Sequence, residues 1–501
     1  MIKWIRRIAG RGPAAWLLAG GLAVLAACGG GGGDGTATGD QGTVVIGLTD
    51  APGDFVTYTV DVVSLTLTKA NGVVVQALPV DTRVDFARLT ELTEFLTAAT
   101  VPGGVYVRGT MVLDYANADI QVEDAAGNAV KAAAVLDAAG NPVGRLEVSV
   151  RLEGRSRLVI APGIPAWLTL DFDLAASNSV SFDAAGVPTV TVQPFLVAEV
   201  DAERNKPHRV RGPLKQVQAD AGKFQLYIRP FGHRLHGWSR HFGVLTVHTT
   251  DVTVYEVDGV TYQGPDGLAA LAAQPQYTGV IVVGDIRRNP RRFEAREVYA
   301  GTSVPGGGMD AVHGSVVARS GDVLTVRGAT LVRADGTVIF NDTVSVRLDA
   351  STTVLRQAST APATIADISV GQRITVLGTL TNTDVKALEL DAANGYARME
   401  ISTVRGSRVD VAGIPEQPLP FVVDVATING RSVSLYDFSG TGTDAANDAD
   451  PGHYEVDTGV LDTSGIAAGA PVEVRGFPAA FGTAPPDFSA RTVVDLSAVS
   501  P

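Results

Sequence analysis

Cysteine occurs once in the 501 residues, at position 28, so the chain can close no internal disulfide. Stability has to come from ordinary hydrophobic cores. Lysine is scarce as well: 7 of the 40 basic residues, the other 33 being arginine, a bias that speaks of a GC-rich genome more than of a task. Positive charge as a whole is in deficit. The net charge of −13 argues against nucleic acid as a general partner, and none is expected, because a phosphate backbone demands a basic footprint. No HExxH, GxSxG, Walker or GxGxxG pattern stands in a suitable context, so the chain is read as non-enzymatic and no cofactor is expected. Long amphipathic runs are few. What is abundant is glycine (56) and proline (26) among valine and threonine, the signature of short strands joined by turns. The class is all-β, and the length suffices for three or four domains.

The amino terminus has its own pattern. Lys3, Arg6, Arg7 and Arg11 precede an apolar run from Ala14 to Val24, which is too short to span a bilayer and ends at Leu25-Ala26-Ala27-Cys28. This arrangement resembles the signal segment and lipobox of bacterial lipoprotein precursors. The resemblance implies cleavage after residue 27 and acylation of Cys28, with the membrane as a partner through that anchor. Gly29 stands where an aspartate would retain an enteric-type lipoprotein in the inner membrane, so the expected location is the cell envelope, at the outer membrane. Arg6-Arg7 also admits a twin-arginine export signal, although the flanking residues match it poorly.

Residues 28–42 form a lipidated cysteine and Gly-rich tether, whose ends as a flexible coil lie roughly 20 Å apart. Residues 43–203 form a first domain. Its opening strand runs into Leu48-Thr49-Asp50-Ala51-Pro52-Gly53-Asp54, and the apolar alternation then changes phase between Val62 and Val63, as at a β-bulge. Leu89, Leu92, Phe95 and Leu96 at helical spacing predict a short amphipathic helix. Leu168, Leu170, Phe172 and Leu174 alternate with Thr169, Asp171 and Asp173, placing both carboxylates on the polar face of one strand. The LTDAP segment and Asp171-Phe172-Asp173-Leu174-Ala175-Ala176-Ser177 resemble a family of uncharacterised bacterial lipoprotein domains. That likeness implies a β-sandwich similar to carbohydrate-binding or transthyretin-like modules, and no established activity.

Beyond residue 204 the chain repeats. Three units, 204–303, 309–396 and 400–501, each open on Val-x-Gly: Val210-Arg211-Gly212, Val312-His313-Gly314 and Val404-Arg405-Gly406. Each later closes a strand on Gly284, Gly378 or Gly476, followed by Ala295, Ala387 or Ala490 in an apolar-x-Ala-x-x-apolar pattern. Val344, Val346 and Leu348 alternate with polar residues, as in a half-buried strand. These units resemble a family of small uncharacterised periplasmic repeats of the OB type, which implies three five-stranded Greek-key barrels.

Charge is uneven. Residues 204–298 carry 14 basic against 8 acidic side chains, or +6, leaving 26 against 45, or −19, elsewhere. Two basic loops fall in that segment. His233, Arg234, His236, Trp238, Arg240 and His241 form one, and Arg287, Arg288, Arg291 and Arg292 flank Asn289-Pro290 in the other. If both lie on one side of the first barrel, the arginines with Trp238, Phe231 and Phe242 suit a glycan or an anionic envelope polymer. The alternative for such loops is solvated charge. His233, His236 and His241, with His248 on the next strand, are candidate metal ligands. An envelope hydrolase is the competing reading, metal-dependent through those histidines or a glycosidase through Asp171 and Asp173. Asp444, Asn447, Asp448 and Asp450 lack the frame of a calcium loop and read as a polar turn.

Overall fold

The computed structural model describes residues 41–50, 55–124, 127–154, 157–193, 195–200, 206–230, 242–384, 386–410 and 421–498. Cys28 with the signal and the tether up to residue 40, and the whole loop bearing His233, Arg234, His236, Trp238, Arg240 and His241, lie outside the described residues, whereas Gln41 and Gly42, expected in the tether, already belong to the strand Gln41–Thr49. Among the described residues no helix is long and apolar enough to cross a membrane.

The first domain is a β-sandwich. One sheet orders the strands Val197–Val200, Ala166–Asp171, Gln41–Thr49 and Thr93–Pro102. The other is built on the long pair Phe55–Lys69 and Gly104–Glu123. Ile46, Leu48, Val60 and Leu65 are buried in the hydrophobic core. The phase change at Val62 is a register shift between Val62 and Ser64, which keeps Val62 and Leu65 both buried. The expected helix at Leu89–Leu96 is not formed. A single 3-10 turn, Phe86–Leu89, is followed by the strand Thr93–Pro102, whose first six residues are all buried. A strand covered on both faces loses its alternation, and its apolar run then imitates helical spacing.

The two family-like segments meet at one end of the sandwich. Leu174 N–H donates to the Asp50 carboxylate at 2.8 Å, and the Ser177 hydroxyl donates to the Phe172 carbonyl at 2.7 Å. Asp171 ends its strand and Asp173 does not continue it. Asp173 adopts a left-handed conformation, φ 45°, and caps the short helix Leu174–Ser177 by accepting from Ala176 N–H. Asp171 in turn accepts the N–H of Asp173 at 2.9 Å. The pair shapes a turn instead of projecting from one strand.

Three closed five-stranded barrels follow, all with the same ring. In the first, His208–Gln218 pairs with Lys223–Tyr227, which pairs with Val244–His248; Val244–His248 runs parallel to Arg291–Ala300, and Gly279–Arg288 closes back onto His208–Gln218. Numbered along the chain the circuit is 1-2-3-5-4-1. The barrels beginning at Asp310 and Ser402 close in the same order. Closure removes open edges, and each valine of Val-x-Gly points inward at 0% exposure. The helix Gly264–Ala272, with proline in its first turn and Leu268 and Leu271 buried, lies between the third and fourth strands of the first barrel. The sequence reading passed over it.

The repeated glycines have a steric cause. A methyl group on Gly212, Gly314 or Gly406 would overlap a carbonyl of the barrel's second strand, that of Tyr227, Arg327 or Asp424. On Gly284, Gly378 or Gly476 it would overlap the carbonyl of Glu294, Asp391 or Ser489 in the last strand. These are the points where the wall coils tightly enough to close. The partner of Gly378 is Ala392 and not Ala387, which is exposed in a bend before the strand Glu389–Glu400. In the outer barrels Ala295 and Ala490 hold that place.

Candidate functional site

The sandwich and all three barrels line one cavity of about 1890 Å³. Fifteen arginines and one lysine face it, against nine aspartates and glutamates, an excess of seven positive charges in a chain of net charge −13. The charge does not come from one segment. Arg88 is contributed by the sandwich, Arg209 and Arg211 by the first barrel, Arg373 by the second, and Arg405 and Arg475 by the third.

The repeat itself places part of this lining. Alternation along a strand turns the residue between the inward valine and the glycine outward, and in all three barrels that residue, Arg211, His313 or Arg405, faces the cavity. Each has a carboxylate partner. Arg211 Nε donates to Glu94 at 2.7 Å and Arg405 Nε donates to Glu473 at 2.7 Å. His313 Nδ1 lies 2.9 Å from the Thr375 hydroxyl and 3.3 Å from Glu400. Burial acts to raise the Glu400 carboxyl, but His313, Thr375 and Arg398 together outweigh it and hold the group well below the usual carboxylate range.

Other walls are ion-paired across domains. Arg398 makes a bidentate pair with Glu256 at 2.7 and 2.6 Å, both side chains nearly free of solvent, and its plane lies 4.1 Å from the Tyr299 ring centre. Arg373 of the second barrel pairs with Glu91 of the sandwich, and Arg431 of the third with Glu123, also of the sandwich, at 3.0 Å. At the seam of sandwich and first barrel, Arg209 and Arg211 share Glu94, whose side chain is fully buried. Burial pushes the Glu94 carboxyl up, yet the two guanidinium groups outweigh burial and hold it below its ordinary range. Burial and the neighbouring Arg209 pull Arg88 down to about 10, in spite of Asp85 beside it.

The structure divides the residues singled out in the sequence. Arg287 and Arg288 line the cavity; Arg291 and Arg292 complete the same hairpin and are not part of the lining. Glu294 neutralises part of the hairpin, lying 3.0 Å from Arg287 and 2.7 Å from Arg292. Phe242 offers no stacking surface. It is 2% exposed, and its carbonyl accepts from Thr97 Oγ1 at 2.9 Å and Ala98 N–H at 2.7 Å in the sandwich. His248 lies on the expected strand, half-buried, with its imidazole pulled down by burial and by Arg292. Among the described residues no group of three or more histidines, aspartates or glutamates could hold a metal ion. The aspartates of the 444–450 loop accept backbone N–H groups, from Ala446, Gly442 and Gly452, as a polar turn does.

Counting charge along the chain missed the arginines outside the basic segment, because strands far apart in sequence bring them together. The signal that carried part of the answer was the outward position of Val-x-Gly, occupied each time by a basic or imidazole side chain.

Comparison with known proteins adds to the sandwich alone. No curated protein matches the chain. A solved structure titled "drosophila Unr CSD456" aligns at 10% identity over 58% of this chain and 98% of its own, with a TM-score of 0.13, and at that score the likeness carries no argument. Residues 41–186 match the family model described as "Domain of unknown function (DUF4382)", so the sandwich is similar to a family whose role is open.

Proposed function

We propose that this protein is a lipid-anchored component of the bacterial cell envelope, held at the outer membrane through Cys28, and that it binds an anionic envelope polymer or glycan without catalysing a reaction. One observation carries the reading: sixteen basic against nine acidic side chains face a single cavity in an otherwise acidic chain. Low-dielectric walls with a net excess of one sign focus the field and draw in ligands of the other. The cavity, at about 1890 Å³, exceeds the roughly 300–1,000 Å³ of small-molecule pockets, which suits a polymer segment. Arg287 and Arg288, from one of the basic segments marked in the sequence, stand at its wall.

Titration calorimetry against lipopolysaccharide, teichoic-type polymers and oligonucleotides tests this. Affinity for an envelope polymer should fall as salt rises, by the counterion release established for nucleic acids. Arg287→Glu with Arg291→Glu should weaken it, and Trp238→Ala should weaken it with little change in the salt slope. Absence of binding at low salt to every polymer sinks the reading. The anchor is tested separately: Cys28→Ala should leave the membrane fraction, since stable anchoring needs more than one acyl chain. Retention after a high-salt wash, with the signal cleaved, would refute it.

A further inference from the structure

The cavity has an apolar wall as well as basic side chains. On the strand Gly279–Arg288, Val280 and Val282 point into the first barrel, so Ile281 and Val283 point out of it and into the cavity. They stand directly opposite Arg211 and Arg209 in the pairing with His208–Gln218, and residues so paired share one face. The apolar surface continues across the seam to the second barrel. Val304 of the connecting segment lies against Gly279, and Gly306 lies against Val332 in the strand Val323–Val332. Val332 pairs with Val338, and Phe340, two residues on, shares that face of the hairpin. All three line the cavity. Val338 and its neighbour Ile339 are 47% and 38% exposed, although Leu331, Val344 and Val346 of the same two strands are almost free of solvent. Single apolar side chains on a surface need no explanation, but a continuous apolar wall inside a concavity marks a ligand surface.

We propose that the ligand of this cavity is acylated: an anionic phospholipid whose acyl chains lie along Ile281, Val283, Val332, Val338 and Phe340 while its phosphate group meets the arginines of the lining. Charge complementarity sets the head. A plain hydrocarbon would leave the lining's excess of basic over acidic side chains unmatched, and a wholly polar polymer would leave the apolar wall against water. An anionic amphiphile matches both. The wall is concave and shared between barrels, which suits flexible chains better than the face of a folded protein. The inference rests on the cavity being the ligand surface, as proposed above, and adds that what binds there carries acyl chains.

The experiment uses the mature chain, residues 28–501, prepared without its own acyl groups so that no detergent competes. Calorimetry with dihexanoyl phosphatidylglycerol, below its micelle concentration, should give a saturable isotherm of one lipid per chain. Glycerophosphoglycerol, the same head without chains, and dihexanoyl phosphatidylcholine, the same chains without net charge, should each bind at least tenfold more weakly. Longer chains should raise affinity roughly fourfold for each further methylene buried. Val338→Asn with Phe340→Ser should weaken binding at least tenfold, and Val460→Asn, at a fully exposed valine of the third barrel outside the cavity, should not change it. If the double variant fails to fold, the head and chain-length comparisons on the unaltered protein still decide. No binding of the anionic lipid, equal binding of the bare head or of the choline lipid, or full affinity in a double variant with an unchanged circular dichroism spectrum overturns the inference. Lipopolysaccharide and the same polymer stripped of its acyl chains separate the two readings. Equal affinity for both removes the acylated ligand and spares the polymer; lipid binding without any affinity for the stripped polymer upholds the acylated ligand and removes the polymer.

Discussion

Two seams hold the first barrel, and they are made of different materials. Toward the sandwich the joint is continuous and mostly apolar, with Glu94 and its two arginines as its ionic part: Thr93–Pro102 pairs in parallel with His208–Gln218, one hydrophobic core spans both domains, and the Phe95 ring meets Trp167, His208 and Phe293 at 5.2 to 5.4 Å. Toward the second barrel the joint is polar: Arg398 on Glu256, Gln357 on Glu297 at 3.2 Å, and the Tyr396 hydroxyl on the Asp258 carbonyl at 3.2 Å. The second and third barrels have cores separate from that one, and each takes in side chains of the other: Phe477 in the second, Val317 and Val370 in the third. Apolar burial is non-directional and fuses two domains into one folding unit. A buried ion pair adds little net stability but is costly to break, so it fixes orientation between units that could fold separately.

The largest expected effect is at the closure point of the first barrel. Gly212→Val puts side-chain atoms into the Tyr227 carbonyl and should cost more than about 4 kcal/mol, the range of strained or overpacked sites. Because the core is shared, the sandwich should melt with the barrel in calorimetry while the third barrel's transition stays in place. A sandwich transition that survives alone would break the comparison. Phe95→Ala should cost about 3–5 kcal/mol in urea denaturation and again move sandwich and first barrel together.

At the polar seam, Glu256→Gln leaves the buried Arg398 without its counter-charge and should cost about 3 kcal/mol. Replacing both, Glu256→Leu with Arg398→Leu, should recover most of that loss, an outcome that apolar contacts such as Phe95 on Trp167 cannot give. Without recovery, the polar seam would be acting as a second core.

pH separates regions by sign. His208, at the apolar seam, is pulled down to about 4 by burial, so the unfolded chain binds the extra proton and stability falls as pH drops from about 6.5 to 4, by an amount of order 2 kcal/mol. Asp487, in the third barrel, is pushed up to about 6 by burial; there the folded chain binds the proton first, and stability falls as pH rises from about 4 to 6. Calorimetry across that window should therefore show the two transitions moving in opposite directions. His208→Gln and Asp487→Asn should each flatten its own. The smallest effect is at the exposed hairpin, where Glu294→Gln should cost less than about 1 kcal/mol by urea denaturation, since Arg287 is half-exposed.

Much of the fold was legible because β-closure leaves marks in sequence. The inward valines and the closure glycines recur in each barrel at points where no side chain fits, and the bulge at Val62 shows as a slip in alternation. Structure buried on both faces was not legible: Phe95 and Leu96 mimic a helix because their strand has no polar side. The middle barrel's Ala392 was displaced in the sequence reading because its last strand begins late, at Glu389. The cavity was half legible. Arg287 and Arg288 stood out as a charge cluster, whereas Arg88, Arg373 and Arg475 converge only through tertiary packing and leave no local signal.

Glu94 has a consequence for how such a protein can be rearranged. The second and third barrels supply the acid for their own outward residue, Glu400 for His313 and Glu473 for Arg405, each from a later strand of the same barrel. The first barrel borrows its acid from the sandwich. The three repeats are therefore alike in fold but not interchangeable parts. Shuffled to another place in the array, the first barrel would arrive without Glu94, the carboxylate that Arg209 and Arg211 share. Lineages that duplicate or reorder these units are free to copy the later two, and are bound to carry the sandwich along with the first.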